Sequence, residues 1–126
     1  MTHNKYAQAV YSPLRENSSD NQDSHPQHTL KREVEVVNAY GVHTRPAALI
    51  VKTVRHYDSD NKNPLDVQVY INAKDRVSGK SIMGLMTLQA SKGSKLNFEI
   101  TGNGTAKPCM DSLVALVESG FGDMEN

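Results

Sequence analysis

The chain has 126 residues, enough for one domain and a tail. Its 14 lysines and arginines balance 14 aspartates and glutamates, which excludes the basic excess of a general nucleic-acid binder. A single cysteine, Cys109, rules out an internal disulfide, and no apolar run nears the roughly 18–20 residues of a membrane span.

Residues Met1 to about His28 are rich in Asn, Ser, Asp, Gln and His. From Glu16 to Ser24 no residue is apolar, so this stretch cannot offset its ordering entropy by burial. A disordered extension over 1–30 is expected, with the folded domain at 31–126. Tyr6 to Leu14 is a short apolar island within it. His3, His25 and His28 are irregularly spaced and read as solvated tail rather than a metal site. The extension also lacks the apolar core of a secretory signal, and a cytoplasmic protein is expected.

From Val34 the pattern becomes orderly. Val34 and Val36 alternate with Glu33 and Glu35, predicting a strand with one buried face. A turn follows at Tyr40-Gly41. From Pro46 to about His56, Ala47, Ile50, Val51 and Val54 recur at helical spacing. Asp58 to Pro64 is a polar loop. Val67, Val69 and Ile71 mark a second strand, and Arg76-Val77-Ser78 a short third. Ser81 is placed as an N-cap for a short helix over Ile82–Gln89. Leu96, Phe98 and Ile100 form a fourth strand. Met110, Leu113, Val114 and Val117 stripe a last helix, with Pro108 in its first turn and Gly120 as its stop. The order βαββαβα with one-sided strands predicts an α+β open-faced sandwich, a sheet with helices on one face.

Chemistry concentrates in Gly41-Val42-His43-Thr44-Arg45-Pro46. A neutral imidazole is available at cellular pH and can take a phosphoryl group on nitrogen. Phosphoryl transfer asks a protein mainly for positioning and charge stabilisation. Arg45 supplies charge-assisted hydrogen bonds, and a helix beginning here aims the N–H groups of Thr44 and Arg45 at the same anion. Pro46 suits a helix start because it has no N–H to satisfy. A lone histidine in a turn reads as an ordinary cap; this hexapeptide between strand and amphipathic helix reverses that preference.

Ser81 is the second candidate, as a site for regulatory phosphorylation. Taken alone it is a plain N-cap serine. Ile82, Met83, Leu85, Met86 and Leu88 cover most of the helix that follows, and the adaptable methionines favour a docking role over burial of both faces. His56 is either a second nucleophile or, preferably, a positive end for its helix. Cys109 reads as a small core residue. No nucleotide-cradling loop, dinucleotide fingerprint or zinc-protease motif is present, so no cofactor and no metal are expected.

Gly41 to Ala48 resembles the active-site signature of HPr, the histidine phosphocarrier family of the bacterial sugar phosphotransferase system. Lys80-Ser81-Ile82-Met83-Gly84-Leu85-Met86 resembles that family's regulatory-serine motif. The likeness covers about Lys31 to Gly122. It implies a four-stranded antiparallel sheet under three helices. It further implies that His43 accepts phosphate through Nδ1 from enzyme I and donates it to the A components of sugar permeases. Arg45 would steady the phosphate, and Ser81 would be phosphorylated from ATP. Ile82, Met83, Leu85 and Met86 would form part of the partner surface. HPr kinase/phosphorylase and a transcription regulator would be further partners of a monomeric carrier that is not itself a turnover enzyme. The alternatives are a regulatory adaptor governed by Ser81, and a nitrogen- or virulence-branch relay without sugar transport. Three features depart from the family pattern: the long extension, the longer Asp58–Pro64 loop, and a last helix that starts without acidic residues.

Overall fold

A computed structural model describes residues 28–60, 62–102 and 104–122. Residues 1–27 of the expected extension, with the Tyr6–Leu14 island, His3 and His25, lie outside them. Strand β1 (His28–Glu35) starts ahead of Lys31, so His28, Thr29 and Leu30 belong to the sheet. Helix α1 (Thr44–Tyr57) follows, then β2 (Asp66–Tyr70), β3 (Val77–Ser78), α2 (Ile82–Thr87), β4 (Lys95–Gly102) and α3 (Ala106–Glu118). A short 3-10 turn, Gly120–Gly122, follows α3.

The four strands form one antiparallel sheet in the order β1-β4-β2-β3. Register follows from side-chain alternation, because a one-residue slip would turn each strand's apolar set to water. Val34 faces Leu96, Val67 faces Ile100 and Val69 faces Phe98 across the ladders, and all six are buried. Ile50 and Val54 of α1, Leu85 of α2, and Leu113 and Val117 of α3 complete the core from the covering helices. Tyr57 and Ser112 share a 2.8 Å hydrogen bond that joins α1 to α3.

The opposite face of the sheet is polar. Glu99 is its hub, accepting from the Tyr70 hydroxyl at 2.7 Å and pairing with Arg76 at 3.0 Å and Lys31 at 3.8 Å. The Arg76 guanidinium also lies 4.4 Å over the Tyr70 ring. Partial burial acts to raise the Glu99 carboxyl, but hydrogen bonds from Arg76 and Tyr70 outweigh it and hold the group below its ordinary range.

Two elements end differently from the sequence expectation. The second strand stops at Tyr70, and Ile71 lies on the surface because the chain turns there instead of continuing the alternation. Helix α2 stops at Thr87, since Gln89 takes a left-handed backbone (φ 50°) that ends a right-handed helix. Leu85 is fully buried.

Candidate functional site

The site is built where β1 hands over to α1. Val42 is buried and its N–H donates to the Ala90 carbonyl at 2.8 Å, tying the loop to the segment after α2. Gly41 makes that approach possible. Its φ is +64°, and a Cβ placed there would sit 2.2 Å from the Ala90 carbonyl oxygen. Asn38 is buried beneath the turn, and its side-chain amide donates to the Gly41 carbonyl at 2.9 Å. The turn is therefore held from both sides before the chain reaches His43.

His43 occupies the N-cap position of α1. Its carbonyl accepts the first helical bond, from Ala47 at 2.9 Å. Its side chain makes no capping hydrogen bond and is exposed. The imidazole takes no part in the capping, which the backbone provides. Thr44 and Arg45 follow as the first helical residues, so their N–H groups precede the first i→i−4 bond and the positive end of the helix dipole lies here. Pro46 and Ala47 are buried and anchor the first turn.

Arg45 reaches the other end of the chain. Its Nη1 donates to the Phe121 carbonyl at 3.0 Å. That carbonyl is presented by consecutive left-handed residues: Gly120 (φ 68°), Phe121 (φ 57°) and Gly122 (φ 78°). A left-handed phenylalanine is strained, and burial of its ring holds it in place. Sequence reading took Gly120 only as a helix stop. The glycines on either side of an aromatic residue were the available signal for this turn.

Helix α2 flanks the site. The Thr44 hydroxyl lies 3.7 Å from the Met86 sulfur and donates to it. Met83 is 79% exposed, and Ile82 and Met86 are each more than a third exposed. Leu85 points the other way into the core, because one face of this short helix must close over the sheet. It is removed from the expected partner surface. Tyr40, absent from that surface in the sequence reading, is 75% exposed, and its ring stands edge-on to the His43 imidazole at 6.3 Å.

Ser81 is the N-cap of α2, and its Oγ accepts from the Gly84 N–H at 2.9 Å. Just before it, Lys80 pairs with Asp58 at 2.6 Å. The other Asp58 oxygen accepts from the Leu65 N–H at 2.8 Å, closing the 58–65 loop. Burial tends to raise the Asp58 carboxyl, but the Lys80 hydrogen bond and the Leu65 N–H prevail and leave it below its ordinary range. His56 lies in the last turn of α1, against Tyr57 and at the far end of the helix from His43. Cys109 is fully buried, which pushes its thiol up to about 12, and it packs as a core residue. Among the described residues no cluster of His, Cys, Asp and Glu could hold a metal ion, and no helix is long and apolar enough to cross a membrane.

The family model described as "PTS HPr component phosphorylation site" matches residues 30–119. The phosphocarrier protein HPr of Neisseria meningitidis is 35% identical over 97 residues, spanning 76% of this chain and 99% of that protein. The multiphosphoryl transfer protein of Haemophilus influenzae is 32% identical over 101 residues, 80% of this chain but 19% of that longer protein. Among solved structures, HPr-C-His from Thermoanaerobacter tengcongensis superposes with a TM-score of 0.59 at 33% identity, over 73% of this chain and 94% of that one. HPr of Bacillus anthracis gives 0.55 at 31% identity, over 71% and 96%. With the open-faced sandwich and an uncapped imidazole at the start of α1 already in place, these matches make the chain a member of the HPr family of phosphocarriers of the phosphotransferase system.

Proposed function

We propose that His43 accepts a phosphoryl group from enzyme I and passes it to the A components of sugar permeases, with Ser81 as a regulatory phosphorylation site. The carrier acts in the cytoplasm and completes no turnover of its own. The observation that carries this reading is the His43 side chain: exposed, at the N-cap of α1, and not used for capping.

The transfer needs no group from outside the relay. The lone pair of Nδ1 attacks phosphorus, the bond from phosphorus to the donor's leaving atom breaks, and that atom departs with its electron pair. The proton stays on Nε2, so the phosphorylated ring is cationic and sits beside a dianionic phosphoryl group. The Arg45 guanidinium and the first N–H groups of α1 counter the phosphoryl charge. Donation runs the same steps in reverse order of partners.

Mixed with enzyme I and phosphoenolpyruvate, the protein gains an acid-labile phosphate that His43→Ala abolishes. Label that persists in the variant overturns the assignment. Ser81→Asp slows transfer from enzyme I, because the added charge opposes an acidic partner surface. Unchanged kinetics would remove Ser81 as a switch.

A further inference from the structure

We propose that Tyr40 is a positioning residue for His43, holding the imidazole in the orientation that offers Nδ1 to an incoming phosphorus. The inference rests on the carrier role of His43 and adds a residue outside both sequence motifs.

Tyr40 contributes nothing to the core, since three quarters of it is exposed. Its ring is left at the surface, within reach of a neighbouring side chain. Its place is nevertheless determined. The residue after it, Gly41, is locked by the left-handed backbone and the Ala90 carbonyl, and the Gly41 N–H donates back to the Asn38 carbonyl at 3.2 Å. The turn therefore carries Tyr40 as a rigid bracket. From it the phenol ring meets the His43 imidazole perpendicularly, with centroids 6.3 Å apart. Aromatic rings favour this arrangement because the positive edge of one meets the negative face of the other.

An N-cap histidine without a capping bond lacks the hydrogen bond that would tie its side chain to its own helix. Tyr40 supplies that restraint from the preceding turn, and it does so without taking a ring nitrogen. A hydrogen-bonding neighbour would have consumed one. Once phosphorylated, the ring carries an N–H and a positive charge, and an aromatic neighbour remains compatible with that cation. The restraint therefore serves both the loading and the unloading state. The contact needs the ring and not the phenolic hydroxyl.

The test uses the full chain and phosphoramidate, a small phosphoryl donor that needs no protein partner. Nδ1 attacks its phosphorus, the P–N bond breaks, and nitrogen leaves as ammonia after protonation. The rate of phosphorylation of His43 is followed by phosphorus NMR in the native chain, Tyr40→Phe and Tyr40→Ala. Side-chain order of His43 is read from carbon relaxation in the same samples. Tyr40→Ala is expected to slow phosphorylation about two- to tenfold, the range expected for a single aromatic pair, and to loosen the His43 side chain. Tyr40→Phe is expected to keep the native rate and order. Equal rates in Tyr40→Ala and the native chain overturn the role of Tyr40, as does failure of Tyr40→Phe to retain the native rate. A native chain that takes phosphate from phosphoramidate but not from enzyme I refutes the carrier reading alone.

Discussion

Helices α1 and α2 both begin on a residue with a reactive side chain, and the two residues are used in opposite ways. At α1 the backbone of His43 caps the helix and the side chain is spared. At α2 the Ser81 side chain is the cap, with its oxygen engaged by Gly84. The same position in a helix thus yields an exposed imidazole outside the cap in one case and a hydroxyl engaged in the cap in the other. The side chain proposed to react is kept out of the folding bonds. A side chain that caps its helix is held in place by the bond it accepts.

The difference is broken most severely at a glycine close to each start. Gly41→Ala places a Cβ against the Ala90 carbonyl in a left-handed backbone, and a loss on the order of 2–3 kcal/mol is expected. Gly84→Ala, within α2, meets the Ser81 oxygen at 3.1 Å and the Val77 Cβ at 3.3 Å, contacts that small shifts relieve. Its melting temperature should fall less than that of Gly41→Ala, and the reverse order in thermal denaturation would show that the turn before His43 tolerates a side chain.

The next effect is functional. Arg45→Ala removes a guanidinium that belongs to the α1 start, and transfer to or from His43 should drop about 10- to 100-fold, the range for a lost charge-assisted hydrogen bond. Ser81→Ala should leave transfer near the native rate. Comparable losses in the two variants, measured with enzyme I, would erase the distinction between the two starts.

Stability should invert that ranking. Ser81→Ala deletes a formed cap and should cost about 1 kcal/mol, whereas His43→Ala deletes no cap bond and should stay within about 0.5 kcal/mol of native. Urea midpoints for the pair decide the matter; an equal shift in both would mean the His43 ring also supports its helix.

The smallest effect is the pH dependence of the clasp ahead of Ser81. The Asp58 carboxyl is held below its ordinary value in the folded chain, so its stabilisation is complete above the unfolded value of about 3.9 and fades as pH falls through the folded one. Asp58→Asn should therefore be less stable than native at neutral pH, with the gap closing below about pH 4. A gap independent of pH would assign the loss to packing instead of charge.

Much of the scaffold could be read from residues alone, because its elements bury one face and alternate cleanly. Val67-Val69 and Leu96-Phe98-Ile100 repeat every two residues, and Ile50-Val51-Val54 follow a helical turn. The His43 and Arg45 motif was equally visible, since Pro46 marks where its helix opens. What escaped depends on contacts distant in sequence. Nothing local tells that Leu85 turns inward while Met83 turns outward on a helix apolar nearly all round. The Phe121 carbonyl meets Arg45 only once α3 has returned to the start of α1. The early start of β1 did leave a trace, as Leu30 keeps the parity of Val34, but Arg32 interrupts the apolar series on that face.

The strand order has a consequence for how the chain comes together. Both β1 and β2 lie against β4, whose residues 95–102 are made after both. Until that segment emerges during synthesis, the first strand lacks the ladder neighbour it has among the described residues, and of the described strands the second has the two-residue β3 beside it. Closing such sequence-distant pairings is entropically slow, and unsatisfied strand edges meanwhile invite association with other chains. Truncations that end before residue 95 should accordingly behave as sticky fragments instead of smaller carriers.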